Sequence, residues 1–162
     1  MTDGLSHLDA DGKVRMVDVT DKPITTRRAV AEGHVCISEE LATMIQHKSL
    51  PKGDLLTTVR LAGIQAAKRT AELIPLCHNI VLSQVTVDAR VESNEVILQA
   101  TVIADGKTGV EMEALTAVAV AALTVVDMGK SVDRSMVIGP IRLLSKTGGT
   151  HGSYAASPQG EA

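Results

Sequence analysis

Two short stretches of this sequence could carry chemistry. The first is Leu76-Cys77-His78, where one of two cysteines stands beside one of five histidines. Zinc would need three or four ligands at short recurring spacings, but there is no C-x-x-C, and His34, Cys36 and His47 are scattered. A Cys-His nucleophile pair needs its side chains to meet, whereas neighbours on extended chain point apart. Cys77 therefore reads as a small buried hydrophobe. His78 is the group able to donate to an anion or carry a proton. No metal site is expected.

The second stretch is Asp127-Met128-Gly129-Lys130, which closes a long apolar segment. Positions i and i+3 share a helix face. Lys130 suits the negative end of a helix; Asp127 does not. An acid set against the dipole beside an oily face is expected to titrate high, as proton-transfer groups often do. A helix-end ion pair is the simpler explanation. Glu111 and Glu113 open the same segment, where the dipole favours carboxylates and capping is the simpler role. Glu113 and Asp127 are 127 − 113 = 14 positions apart, about 21 Å at roughly 1.5 Å per residue. One straight helix cannot bring them to one site. Two such helices packed antiparallel across a two-fold axis could place Glu113 of one copy near Asp127 of the other.

Arg27, Arg28, Lys52, Lys68, Arg69 and Lys146 fall near the ends of predicted elements. A basic side chain is ordinarily solvated, yet several converging would hold a polyphosphate. Lys52 also precedes a helix start, a ready anion site. "LPKGD" is not a Walker sequence.

These groups must be positioned by the following elements. Alternation over 25–38 suggests a strand, and Ser38 can cap a short helix reaching about Lys48. Asp54 can cap a helix over 55–71, whose stripe is Leu55, Val59, Ala62, Ala66 and Thr70 and whose small Gly63 permits close packing. "VTVDARV" and "VILQATVIAD" read as paired strands, with Asn94 able to turn left-handed between them. Residues 110–130 form a helix with no charge from Ala114 to Val126, so it is buried on more than one side, one of them against a second subunit. Residues 136–146 are a strand with Pro140 at a bend or edge. Setting the short helix aside leaves βαββαβ. The expected fold is α+β, a ferredoxin-like antiparallel sheet packed on helices, with one extra N-terminal helix. Residues 1–15 are expected to be flexible, 16–146 to form a single catalytic domain, and 147–162 to be a disordered tail rich in Gly, Ser, Pro and Gln. The "HLDADG" start of a calcium-type loop lacks the later ligands.

Composition excludes several functions. The 162 residues carry a formal charge of −3, no Trp, no Phe and one Tyr, Tyr154. Without rings to stack on or a basic field, no nucleic-acid partner is expected. No apolar run with charge-free flanks reaches spanning length, so no membrane partner is expected. Two cysteines and no signal-like N-terminus suggest the cytoplasm.

The blocks "MVDVTDKPITTRRAVAEG", "LPKGD", "AAKRTAELIPLCHNI", "TGVEMEALTAVAVAALTVVDMGK" and "IRLLSKTGG", in this order, resemble the MoaC family of molybdenum cofactor biosynthesis over roughly residues 7–150. The resemblance implies a ferredoxin-like subunit in a hexamer, a trimer of dimers, with sites at the dimer interface. It implies conversion of a small-molecule substrate, 3′,8-cyclo-7,8-dihydro-GTP, to cyclic pyranopterin monophosphate and pyrophosphate, a phosphorus–oxygen lyase reaction. It implies Asp127 and Lys130 as the catalytic acid–base pair, without saying which is acid and which base at each step. Leu76, Cys77, His78, Met112 and Glu113 would bind substrate, with Lys52, Lys68, Arg27, Arg28 and Lys146 near the triphosphate. No cofactor is required, though magnesium could accompany the triphosphate. Asn79 stands where the family usually has Pro, and Gly129 where Cys is frequent. Two rivals are a non-catalytic oligomeric ligand-binding module and, more weakly, a metalloenzyme.

Overall fold

A computed structural model describes residues 11–149 and 152–157. Its elements are β1 (Thr25–Cys36), α1 (Glu39–Gln46), α2 (Leu55–Ala67), α3 (Thr70–Leu73), β2 (Gln84–Glu92), β3 (Glu95–Gly106), α4 (Glu111–Gly129), β4 (Val137–Thr147) and β5 (Tyr154–Ala155). The sheet order is β2-β3-β1-β4-β5, all neighbours antiparallel. Its first four strands have the ferredoxin-like arrangement expected from βαββαβ.

The alternation in β1 and β3 builds one oily face. Ala29, Ala31 and Val35 point inward with Val96, Leu98, Ala100 and Val102, all buried. Helices α2 and α4 cover that face. Where α2 crosses α4, a Cβ at Gly63 would lie 3.0 Å from the Ala117 carbonyl and 3.1 Å from Val87. The small residue expected to permit close packing does so. By length and apolarity α4 could cross a membrane, contrary to the reading that no segment reaches that length. Here Ala114, Ala117, Val118, Ala121, Ala122 and Val125 are buried within the protein, so α4 is its core helix.

Both predicted caps form. Ser38 Oγ accepts from the Leu41 amide, and Asp54 Oδ1 accepts from the Thr57 amide. Pro140 sits where the β1–β4 register shifts between Gly33 and Val35, so its missing donor interrupts no ladder.

Three expectations change. The helix predicted over 55–71 breaks after Ala67, because the buried Thr70 hydroxyl bonds the carbonyls of Ala66 and Ala67 that a continuing helix would use. Ser93, not Asn94, takes the positive φ of 52° in the β2–β3 turn, while the Asn94 carbonyl accepts from the Ile37 amide. Of the tail expected to be disordered from Thr147, Thr147 ends β4 and Tyr154–Ala155 form β5, with Tyr154 opposite Lys146, while residues 150–151 and 158–162 lie outside the described residues. Of the segment expected to be flexible, residues 1–10 lie outside the described residues.

Candidate active site

The predicted residues gather into two groups at opposite ends of α4. The first surrounds its N-terminus. The β3–α4 connection, residues 107–110, brings Lys107 and Thr108 against the start of β1 and the end of β4. Lys22, Arg27, Arg28, Lys107 and Lys146 line one cavity there, with Glu111 as its carboxylate. Convergence of Arg27, Arg28 and Lys146 was legible as an expectation; Lys22 and Lys107 were not. The signal for Lys107 was present, since it precedes a helix start within "DGKTG", as Lys52 does within "LPKGD". Lys146 Nζ donates to Glu111 Oε1 at 2.8 Å. Glu111 therefore tethers a cation rather than capping α4, whose N-cap position, Val110, makes no side-chain cap bond.

An adjoining pocket of about 440 Å³ is lined by Leu76, Cys77, His78, Met112 and Glu113, and shares Lys22, Thr108, Gly109 and Glu111 with the basic cavity. Its corner is a turn in which the Cys77 amide donates to the Ile74 carbonyl at 3.1 Å, with Pro75 one residue into the turn. The chain between β1 and the N-terminus supplies the opposite wall. Val17 and Val19 line the pocket, His78 Nε2 meets the Val17 carbonyl at 2.8 Å, and Lys107 Nζ donates to the Thr20 carbonyl. A carbonyl only accepts, so His78 carries its hydrogen on Nε2 and offers Nδ1 elsewhere. Lys68 lines the far side of His78 and Glu113 with Asn79 and Ile80.

Glu113 is only 3 % exposed. Burial, assisted by the neighbouring Glu111 charge, pushes its carboxyl up to about 7, against the pull of a backbone hydrogen bond. Burial, then the Glu113 charge, pushes the Cys77 thiol up as well. A thiol so placed is a poor nucleophile.

The second group lies at the other end of α4. Asp127 Oδ1 accepts from Lys130 Nζ at 2.6 Å, and Lys52 Nζ donates to the Asp127 carbonyl at 2.7 Å and lies 3.5 Å from Oδ2. Lys52 thus joins Asp127 and Lys130, not the basic residues of the cavity. The raised pKa expected for Asp127 is reversed. The hydrogen bond and charge of Lys130, then the charge of Lys52, hold its carboxyl below the usual range, because it is exposed to solvent and faces two ammonium groups. The high-titrating carboxylate is the buried Glu113. Among the described residues, no group of three or more His, Cys, Asp or Glu is arranged to hold a metal ion.

A cation-lined cavity adjoining a pocket with a buried carboxyl, carried on a ferredoxin-like sandwich, has the lining that a small polyanionic molecule would need. The sequence comparisons give the chain a family. The chain belongs to the MoaC family, which matches residues 16–149. It is 55% identical over 152 residues to the cyclic pyranopterin monophosphate synthase of Chloroflexus aurantiacus, covering 93% of each chain. It is 53% identical to the protein of that name from Parvibaculum lavamentivorans, over 94% of this chain and 96% of the other. Molybdenum cofactor biosynthesis protein 1 of Drosophila melanogaster is 55% identical over 96% of this chain, a match spanning 28% of the longer protein.

Proposed function

We propose that this protein is a cyclic pyranopterin monophosphate synthase, converting 3′,8-cyclo-7,8-dihydro-GTP to cyclic pyranopterin monophosphate and pyrophosphate in molybdenum cofactor biosynthesis. The observation that carries it is a five-cation cavity adjoining a pocket with a buried carboxyl, in a chain 55% identical to proteins bearing that name. The cavity suits a triphosphate. In the pocket, Glu113 can accept hydrogen bonds from the guanine-derived ring, in place of the stacking that a chain without Trp or Phe cannot offer.

In the step that closes the cyclic phosphate, a ribose-derived hydroxyl loses its proton and its oxygen bonds the innermost phosphorus. The bond from that phosphorus to the pyrophosphate oxygen breaks, and pyrophosphate leaves with the electron pair. Asp127 is ionised at neutral pH, so it enters as the proton acceptor, and Lys130 as the donor. The basic cavity neutralises charge on the leaving group.

Asp127 and Lys130 lie a helix length from that cavity, so the complete site draws on two copies. Leu123 is 60 % exposed on α4 and Leu61 is 63 % exposed on α2, an oily surface suited to a two-fold partner. The assembly is a hexamer, a trimer of such dimers, in the cytoplasm. Neither a redox cofactor nor a resident metal is required; magnesium enters as the counter-ion of the triphosphate.

The rival, a ligand-binding module with a structural Asp127–Lys130 pair, draws on that pair's exposure outside the cavity of its own chain. Pyrophosphate release from the cyclic dihydro-GTP substrate, measured beside a light-scattering mass, separates the two. Turnover by an oligomer is the expected result; stoichiometric binding without pyrophosphate would leave only the module.

A further inference from the structure

Arg27 is the most buried of the cavity's cations, only 7 % exposed. Its Nε donates to the Gly106 carbonyl at 3.1 Å. Among the described residues, its two terminal nitrogens have no protein hydrogen-bond partner. Such a side chain needs something to keep its fork turned toward the cavity.

The chain immediately after β4 lies against it. Gly148 and Gly149 have φ of 91° and 86°, a left-handed pair that L side chains rarely adopt. Space is more demanding than φ. A Cβ at Gly148 would overlap the Thr26 carbonyl and sit 3.2 Å from Arg27 Cδ. A Cβ at Gly149 would overlap a terminal guanidinium nitrogen and sit 2.9 Å from Arg27 Cζ. Gly152 has a similar φ of 71° but nothing within 4 Å of its Cβ position. The bare backbone of the glycine pair therefore forms one wall of the slot that holds the guanidinium, and Gly106 forms another.

We propose that Gly148 and Gly149 are positioning residues that clamp Arg27 in the conformation that binds a phosphate chain. They close the phosphate subsite with backbone alone and touch no reacting atom. A side chain at Gly149 must move the guanidinium, and with it the donors presented to a bridging or terminal phosphate oxygen. This rests on reading the basic cavity as a polyphosphate site, and the test separates the two ideas.

Inorganic pyrophosphate is titrated calorimetrically into the full-length protein and into Arg27→Ala, Gly149→Ala, Gly152→Ala and the double variant Arg27→Ala/Gly149→Ala. Arg27→Ala is expected to weaken binding about tenfold, the loss of one charge-assisted pair. Gly149→Ala is expected to weaken it by a similar factor, and Gly152→Ala by none, although both place alanine at a positive φ. The double variant is expected to bind no more weakly than Arg27→Ala alone, the coupling of residues that act as one unit. It should also melt at or above Gly149→Ala, because removing the guanidinium relieves the overlap. A Gly149→Ala chain that unfolds while the double variant folds shows that same coupling. If Arg27→Ala loses pyrophosphate but a folded Gly149→Ala binds like the wild type, the clamp is wrong and the cavity reading stands. If Arg27→Ala itself binds normally, the cavity reading falls and takes the clamp with it.

Discussion

Asp127 and Glu113 illustrate how little a carboxylate's position along a helix says about its proton. Asp127 stands at the unfavourable end of α4, yet Lys130 and Lys52 hold it ionised in solvent. Glu113 stands at the favourable end, yet burial keeps its proton up to about pH 7. The dipole is a surface effect of about 0.3–1 kcal/mol, and desolvation outweighs it. Alanine at Asp127 or at Lys130 should abolish pyrophosphate release while leaving the melting temperature within about 2 °C of wild type, since an exposed pair contributes little stability. Near-normal turnover in either would overturn their assignment. Glu113 makes a different prediction. Its carboxyl titrates at about 7 in the fold against an ordinary 4.5, so between those values the folded chain holds a proton that the unfolded chain has lost. Stability should therefore fall as pH rises from about 4.5 to 7 and level off above. Glu113→Gln, which cannot titrate, should flatten that slope in melting curves; an unchanged slope would assign it to another group.

At the scale of elements, capping and turn chemistry decide the ends. Ser38, Asp54 and Pro75 do what their residue types prescribe. Helix α1 ends in a Schellman motif, with the Lys48 amide bonding the Ile45 carbonyl and the Ser49 amide the Met44 carbonyl. That motif places Lys48 at φ 52°, where glycine is the favoured residue. Lys48→Gly should stabilise the protein by about 1 kcal/mol, raising the melting temperature roughly 2–4 °C. Among the described residues, the ion pair it removes is an exposed one with Asp54 at 3.6 Å. A lower melting temperature would show that the unfolded-state entropy gained by glycine outweighs the relieved strain. The β5 strand shows the limit of composition. "SYAAS" has too few apolar residues to predict a strand, but β4 offers it an open edge.

The whole molecule raises the matter of a shared site. One copy holds its cavity and its Asp127–Lys130 pair on opposite ends of a 19-residue helix. If two copies complete each other's sites, inactive Lys130→Ala and inactive Glu113→Ala chains should complement. Refolded together in equal amounts they should recover about a quarter of wild-type turnover, since half the pairs are mixed and each has one intact site of two. No recovery beyond the separate variants would place all the chemistry in one chain.

By itself the sequence determined the order of the main elements, the two helix caps, the oily faces of β1, β3 and α4, and the blocks that resemble the family. Those properties depend on neighbours a few positions apart, so period and residue type suffice to read them. Tertiary structure alone decided where α2 breaks, that β5 exists, that Lys107 joins Arg27 and Lys22 across 107 − 27 = 80 positions of chain, and that Lys52 belongs with Asp127. It also decided which carboxylate is buried. Those outcomes depend on what packs or approaches through space. A carboxylate that Lys130 and Lys52 hold low in Asp127's exposed position is raised in Glu113's by the loss of water.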